Sequence, residues 1–223
     1  MNLNTFIDHT LLKPTATKND IVTLCKEAME YGFFSVCVNT CYVSLAKQTL
    51  AGSSVKLCAV IGFPLGAMST IAKVEETKQA LKEGADEIDM VMNIGFFKSA
   101  DYAAAAHDIK AVKQQMPKLT LKVILETCYL DTTEIIEASE IALESGADFI
   151  KTSTGFGSSG ATLNTVQIML NATKNTHVKV KASGGIRDTA TALKYIKIGA
   201  LRLGTSNSIA IVTENNKDKK ANY

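Results

Sequence analysis

The chain alternates between two kinds of hydrophobic pattern along its whole length. Short runs rich in β-branched residues are apolar at consecutive positions, which is typical of strands buried on both faces of a parallel sheet. The segments between them repeat apolar residues every three or four positions, which indicates helices packed on one side. We predict strands at Thr5–His9, Phe34–Val38, Val55–Ile61, Glu87–Met92, Leu119–Leu125, Phe149–Thr152, Val178–Ala182 and Leu201–Leu203.

Local signals mark where the helices begin and end. Thr17 with Asp20, and Asp131 with Glu134, have the spacing of capping boxes ahead of helical patterns. Four glycines, spaced 52, 62 and 53 residues apart, each separate a helical pattern from a strand pattern and leave room for two strand–helix units per interval. These are Gly32, Gly84, Gly146 and Gly199. Eight alternating units without a linker predict an α/β fold, a single (β/α)8 TIM barrel.

Length and charge limit the class of protein. The chain has 223 residues, of which 46% are hydrophobic, enough for one substantial core. We expect a barrel domain at residues 1–214 and a polar, lysine-rich C-terminal tail at 215–223. The 24 Lys and Arg residues against 22 Asp and Glu residues leave a net charge of +2, which creates no general field for nucleic acid or an anionic membrane. We therefore expect neither partner.

Cysteine usage and hydropathy predict a cytoplasmic location. The five cysteines include no CxxC pair, and most lie in apolar runs, where they behave as small hydrophobic residues. The first residues, MNLNTFIDHTLLKP, lack the basic and apolar regions of a signal peptide, and no run reaches the roughly 18 apolar residues of a membrane span. A reducing compartment fits these features best.

Charged residues interrupt several predicted strands near their carboxyl ends, where barrels of this kind place their active sites. Lys151 ends the sixth strand, Lys181 lies in the seventh and Asp89 in the fourth. A second ammonium group nearby favours loss of a lysine's proton, and a neutral amine attacks a carbonyl carbon. We therefore predict a Schiff-base lysine, a second lysine that tunes it and an acid that transfers protons. The alternative is that these groups are solvated charges on the rim.

Two glycine- and serine-rich loops follow the seventh and eighth predicted strands, the usual position of a phosphate cradle in this fold. They are residues 183–187 (SGGIR) and residues 204–208 (GTSNS). Arg187 either adds positive charge there or pairs with an acid such as Asp188. The two loops together predict a binding site for a phosphate group.

Nucleotide and metal chemistry are disfavoured. Residues 155–160 (GFGSSG) match the dinucleotide fingerprint GxGxxG, but the acidic residue required about 20 positions later is missing, since residues 178–181 (VKVK) stand there. His9, His107 and His177 lie far apart, so no ligand cluster emerges, and His9 is expected to be a hydrogen-bonded structural residue. We predict no metal and no organic cofactor.

Five motifs occur in order along the chain: residues 8–14 (DHTLLKP), 62–66 (GFPLG), 85–91 (ADEIDMV), 149–155 (FIKTSTG) and 181–187 (KASGGIR). Together they resemble the deoxyribose-phosphate aldolases, over nearly the whole chain. The resemblance implies a class I aldolase that interconverts 2-deoxy-D-ribose 5-phosphate with D-glyceraldehyde 3-phosphate and acetaldehyde, without a metal or organic cofactor. The implied partners are a small phosphorylated sugar and short aldehydes.

The resemblance also assigns residues. Lys151 matches the Schiff-base lysine of the family, Lys181 the lysine that tunes it and Asp89 the proton-transfer acid. Asn207 stands where some relatives have a second serine, and Tyr223 where some relatives fold a tyrosine over the pocket. Roles in binding the phosphate or lining the site are implied for Thr10, Gly155, Gly184, Gly185, Gly204 and Ser206, with Asp8 in the supporting hydrogen-bond network.

Two rival functions remain open at this point. A phosphosugar isomerase or epimerase would use the same barrel with acid and base residues and no covalent lysine adduct. A phosphate-ligand sensor would keep the pocket without catalysis. The sequence leaves the assembly open, with a homodimer as one option.

Overall fold

Eight parallel strands form a closed barrel in the computed structural model, which describes residues 2–213. Each strand pairs with the next in sequence, and the last pairs with the first through Ile7–Leu203, Asp8–Gly204 and His9–Thr205. The strands are β1 (Ile7–Leu11), β2 (Ser35–Asn39), β3 (Lys56–Ile61), β4 (Glu87–Val91), β5 (Thr120–Ile124), β6 (Phe149–Lys151), β7 (Lys179–Ser183) and β8 (Arg202–Thr205).

Helices surround the barrel, and residues 208–213 are also helical. The predicted fold class is confirmed, because a helix lies between every pair of consecutive strands. The helices are α1 (Lys18–Tyr31), α2 (Val43–Thr49), α3 (Thr70–Lys82), α4 (Ile94–Lys98), α5 (Tyr102–Gln114), α6 (Thr132–Glu144), α7 (Leu163–Ala172) and α8 (Thr189–Ile198).

The predicted element boundaries agree with the structure to within a few residues. The largest difference is at the first strand, because Leu3–Phe6 forms a 3-10 turn, capped by the Asn2 side chain, and pairing begins only at Ile7. The short helix α4, started by an Asn93 cap, was not predicted. The expected tail at 215–223, including Tyr223, lies outside the described residues, so the division at residue 214 stays a prediction.

Capping boxes explain where α1 and α6 begin, as the sequence predicted. Thr17 accepts a hydrogen bond from the Asp20 backbone and Asp131 accepts one from the Glu134 backbone, with the reciprocal side-chain bonds also present. Such caps stabilise a helix by about 1 kcal/mol. Gly32 ends α1 with φ 64°, a left-handed conformation that side chains disfavour. The chain therefore turns sharply from α1 into β2.

Side chains alternate between the two faces of each strand and so separate two kinds of core. In β4, Ile88 and Met90 point outward into the apolar layer between strands and helices. Glu87 and Asp89 point the other way, into the barrel, and both are buried. The interior therefore carries charge where barrels of this kind usually carry layers of branched aliphatic side chains. Within the described part of the chain, no helix combines the length and hydrophobicity needed to cross a bilayer.

Candidate active site

A pocket of about 290 Å³ opens at the carboxyl ends of the strands, the end that the sequence predicted. Its inner part reaches Lys151 at the end of β6. Its outer part is built from loops that follow β1, β6, β7 and β8. The lining residues include all six that were predicted to bind substrate or phosphate: Thr10, Gly155, Gly184, Gly185, Gly204 and Ser206.

Lys151, Lys181 and Asp89 meet at the inner end of the pocket. Lys151 and Lys181 are register partners on β6 and β7, so they lie at the same height in the barrel. Their Nζ atoms lie 2.9 Å and 2.8 Å from the same oxygen, Oδ2 of Asp89. The predicted grouping of these three residues is thus present in the fold.

Asp89 belongs to a larger set of buried charges that we call the ion network. Lys122 Nζ lies 2.7 Å from both Asp89 Oδ1 and Glu87 Oε2. Arg202 donates through Nε to Asp8 Oδ1 at 2.7 Å and through Nη2 to Glu87 Oε2 at 2.8 Å. Lys181 also pairs with Asp8. The network consists of Asp8, Glu87, Asp89, Lys122, Lys151, Lys181 and Arg202.

Access divides this network. Lys151 is its one member that lines the pocket among the residues the structure describes. Lys181, one strand away, is 0% exposed, as are Lys122 and Asp89. A small molecule in the pocket can therefore reach the amine of Lys151, while the other charged groups act on it from behind. This separation distinguishes two lysines that look equivalent in the sequence.

The surroundings fix the charges of the inner groups. Burial by itself would raise the pKa of Asp89, but the nearby ammonium groups of Lys122, Lys151 and Lys181 hold it well below 3.8. Burial would lower the pKa of Lys181, but Asp8 and Asp89 raise it above 10.5. Lys181 is therefore a permanent cation and Asp89 an anion near neutral pH. The sequence predicted a crowd of ammonium groups, and the structure adds the carboxylates that hold them together.

Some members of the network were not recognised from the sequence. Arg202 was overlooked, although a charged residue between Leu201 and Leu203 of a predicted buried strand was a usable signal. Its guanidinium also stacks on the Phe34 ring, 3.5 Å from the centroid. Lys179 behaves differently, because it lies at the exposed start of β7, away from the network. Lys181 is two positions later on the same face of the strand and lies fully buried inside the barrel.

The outer end of the pocket is made largely of backbone. Gly184 and Gly185 have φ values of 84° and 79°, so residues with side chains would be strained there. Asp188 accepts hydrogen bonds from Thr191 N and Oγ1 and so caps α8 rather than pairing with Arg187. Arg187 remains exposed on the pocket wall, as does Lys13 on the opposite loop. Both cations can face an anion in the pocket.

A histidine and two cysteines considered from the sequence are packed into the structure outside the pocket lining. His9 is buried and bridges Ser208 Oγ and Glu27 Oε2, each at 2.8 Å, as expected of a structural histidine. Burial lowers its pKa from 6.5 despite the hydrogen bond and charge of Glu27. Cys37 and Cys58 are register partners and pack beside the network.

A metal ion would fit the inner site poorly. Among the described residues, Cys37, Cys58 and Asp89 are the one group of three that brings sulfur and carboxylate ligand atoms within 4.8 Å of one another. Both oxygens of Asp89 already accept from ammonium groups, and Lys122 Nζ lies 3.5 Å from Cys58 Sγ. A cation placed there would face these positive charges. The absence of a metal from the chemistry stays a prediction.

Comparisons with known proteins identify the family of this chain. Residues 4–205 match the sequence profile of a protein family described as "DeoC/LacD family aldolase". The chain belongs to the DeoC/LacD aldolase family. Proteins named deoxyribose-phosphate aldolase from Clostridium novyi and Mycoplasma capricolum are 51% and 49% identical to it, and each alignment covers 100% of this chain and at least 99% of the relative. This aldolase is therefore a lyase.

Solved structures lead to the same family. A putative deoxyribose-phosphate aldolase from Coccidioides immitis has a TM-score of 0.94 at 43% identity, covering 96% of this chain and 86% of that one. A deoxyribose phosphate aldolase from Aeropyrum pernix, described as tetrameric, has a TM-score of 0.89 at 33% identity over 96% of this chain and 91% of that one. This aldolase thus shares its barrel fold with those proteins.

Proposed function

We propose that this aldolase reversibly cleaves 2-deoxy-D-ribose 5-phosphate to D-glyceraldehyde 3-phosphate and acetaldehyde through a Schiff base on Lys151. The observation that carries the proposal is that the pocket reaches a single amine of the ion network. The relatives at about half identity are named for deoxyribose phosphate, and the two products are those that the resemblance to their family implies.

The charge count of the network supports Lys151 as the nucleophile. Its four cations, Lys122, Lys151, Lys181 and Arg202, outnumber its three carboxylates, so the buried cluster carries one excess positive charge. Lys122, Lys181 and Arg202 each contact two carboxylates, whereas Lys151 contacts only Asp89. Lys151 therefore has the fewest carboxylate partners of the four cations, and it is the one that the pocket reaches.

The proposed chemistry proceeds through a covalent bond between the sugar and Lys151. The neutral amine of Lys151 attacks C1 of the open-chain sugar, and loss of water with uptake of one proton from solvent gives an iminium ion whose positive charge lies beside Asp89. Asp89, directly or through water, accepts the proton of the C3 hydroxyl. The C2–C3 bond then breaks, its electrons move into the iminium to form an enamine, and the three-carbon aldehyde leaves. Protonation of the enamine at C2 and hydrolysis release acetaldehyde and regenerate the amine.

The outer end would bind the phosphate. Backbone amides of Gly155, Gly184, Gly185 and Gly204, the Ser206 hydroxyl and the start of the helix at 208 offer neutral donors. Arg187 adds charge from the wall. Fixing the far end of the sugar would hold its aldehyde in a repeatable position against Lys151. Thr10 donates to the Asp8 carbonyl and lines the wall between the two ends.

Reductive trapping tests the proposal. Borohydride added with acetaldehyde should leave a stable two-carbon adduct, and mass mapping should place it on Lys151. The variant Lys151→Ala should lose both adduct and turnover, while Lys179→Ala, which removes an exposed lysine of the neighbouring strand, should keep both. Turnover without any trapped lysine would exclude the Schiff base and restore the acid–base isomerase as a rival. Phosphosugar binding without turnover in the unmodified protein would favour the sensor.

The proposal also covers the oligomeric state and the cellular location of this aldolase. We propose a homodimer, which sedimentation at working concentration would test. A cytoplasmic location is supported by five free cysteines, three of them fully buried beside apolar or catalytic groups. Activity that survives dialysis against a chelator would support chemistry without a metal.

A further inference from the structure

Glu126, at the end of β5, plays no part in the chemistry proposed above, yet it has an unusual backbone and a buried carboxylate. Its φ of 53° is in the left-handed region, which residues with side chains seldom adopt. Its exposed fraction is 2%. Strained residues of this kind cluster at functional sites, where the surrounding structure enforces them.

The strain arises from an extra residue in the pairing of two strands. Leu125 N donates to the carbonyl of Lys151 at 2.9 Å, and Thr127 N donates to the carbonyl of Thr152 at 3.0 Å. Between these two hydrogen bonds the chain after β5 advances by two residues, whereas the chain at the end of β6 advances by only one. Glu126 is therefore an extra residue in the pairing. Such a bulge redirects the side chain of its extra residue. Here it turns the carboxylate toward the loop that follows β6.

The carboxylate of Glu126 binds that loop at one residue. Its two oxygens accept from Thr154 N at 3.2 Å and 3.3 Å, and the Thr154 hydroxyl donates to Oε2. The same Thr154 hydroxyl accepts from Phe156 N at 3.0 Å. Glu126 thus fixes the residues on both sides of Gly155, which lines the outer end of the pocket.

Close packing keeps the loop in this place. A Cβ at Gly157 would lie 2.6 Å from Cys128 Sγ and 3.2 Å from Glu126 Cδ, so the loop rests directly on the segment that carries the carboxylate. Gly155 has a φ of 89°, nothing lies within 4 Å of where its Cβ would be, and its backbone lines the pocket. The position of the Gly155 amide therefore depends on its neighbours, Thr154 and Phe156.

We infer that Glu126 is a positioning residue that shapes the phosphate-binding loop and thereby favours phosphorylated over unphosphorylated sugars. This inference rests on the proposed function, because it assumes that Gly155 contacts the phosphate. The carboxylate does not line the pocket and acts only through Thr154. Losing it should weaken phosphate binding and leave the reaction at Lys151 intact.

Steady-state kinetics with 2-deoxyribose 5-phosphate and with 2-deoxyribose separate these effects. In Glu126→Gln, whose amide cannot accept from both Thr154 donors in the same way, KM for the phosphorylated sugar should rise about tenfold, the change expected for one lost buried hydrogen bond. The kcat for that sugar and the KM for 2-deoxyribose should stay within about twofold. Thr154→Val should reproduce the result, and Thr154→Ser, which keeps the hydroxyl, should restore it.

Glu76→Gln provides a matched control. Glu76 accepts from Gly62 N at 2.9 Å and from the Thr40 hydroxyl at 3.0 Å, so it is a similar carboxylate brace in the loop after β3. Its replacement should leave the preference for the phosphorylated sugar unchanged. Equal changes for both sugars in Glu126→Gln, or no change in either threonine or glutamate variant, would overturn the inference.

Two further measurements keep the inference apart from the proposed function. Acetaldehyde carries no phosphate, so borohydride trapping on Lys151 should be equally efficient in Glu126→Gln and in the unmodified protein. Inorganic phosphate, titrated while NMR signals of the loop are followed, should bind about tenfold more weakly to Glu126→Gln. If the unmodified protein forms no adduct, the proposed function fails; if it does and phosphate binds both proteins equally, only the role of Glu126 fails.

Discussion

The inner and outer ends of the same pocket are built by different means. The inner end consists of side chains on strands, buried and paired with one another, as at Lys181 and Asp89. The outer end consists of loop backbone and exposed cations, such as Gly185 and Arg187. Fixed charges in a dry interior suit chemistry, because they need no rearrangement as the reaction proceeds. Loop amides suit recognition, because they can be varied without disturbing the barrel.

The largest expected effect comes from removing the central carboxylate. Asp89→Asn should lower kcat by roughly 10²–10⁴-fold, the usual contribution of a general acid or base. It also leaves three ammonium groups without their shared partner. Kinetics over a range of phosphosugar concentrations will test this, with KM expected to change by less than kcat. A variant that keeps normal kcat would show that protons move by another route.

Removal of one buried cation should lower stability. Lys122→Met should cost about 3 kcal/mol of unfolding free energy, because Asp89 and Glu87 each lose a buried partner. Urea unfolding measures the loss, and a variant as stable as the unmodified protein would refute the importance of this pairing.

At the outer end, removing one cation should have a smaller effect than removing Asp89. The effect should appear in KM rather than in kcat. Arg187→Gln should raise KM for the phosphorylated sugar by about tenfold, as expected for one charge-assisted hydrogen bond at an exposed site, with kcat nearly unchanged. High salt should reduce the difference between the two proteins. A fall in kcat alone would mean that the two ends are not separate.

The smallest expected effect is a pH dependence of stability at His9, which contacts Glu27 of α1 outside the pocket. Burial lowers the pKa of folded His9 from 6.5, so below pH 6.5 the unfolded chain binds a proton that the folded chain does not. Stability should therefore fall as pH decreases from 7 to 5.5, by less than about 1.4 kcal/mol. His9→Gln, which keeps a donor for Glu27, should show a flatter response in urea unfolding over that range. An equal slope in both proteins would assign the effect elsewhere.

The barrel could be predicted because its signals are local. The strands are short, mostly apolar runs, and Thr17 and Asp131 start helices through neighbours three residues away. Charges inside apolar strands also led to Lys151 and Asp89 as candidates, since an ionised group at such a position is costly without a function or a partner, and the structure pairs the two.

The rest of the site depends on contacts between residues far apart in the chain. Arg202 reaches Glu87, 115 positions away, and no local pattern encodes that pair. The bulge at Glu126 depends on how β5 and β6 are aligned, which runs of consecutive apolar residues leave open. Which of the two lysines faces the pocket likewise follows from the loops above them.

Gly204 joins the two ends of the pocket. A Cβ there would lie 3.0 Å from both Lys181 Cε and Ser183 Cβ, so the backbone at the end of β8 rests on the buried lysine. For redesign of the enzyme toward bulkier or uncharged acceptors, the neighbouring Ser206 and Asn207 are suitable positions to randomise. Residue 204 should be kept as glycine in every library, because any larger side chain would change specificity and reactivity together.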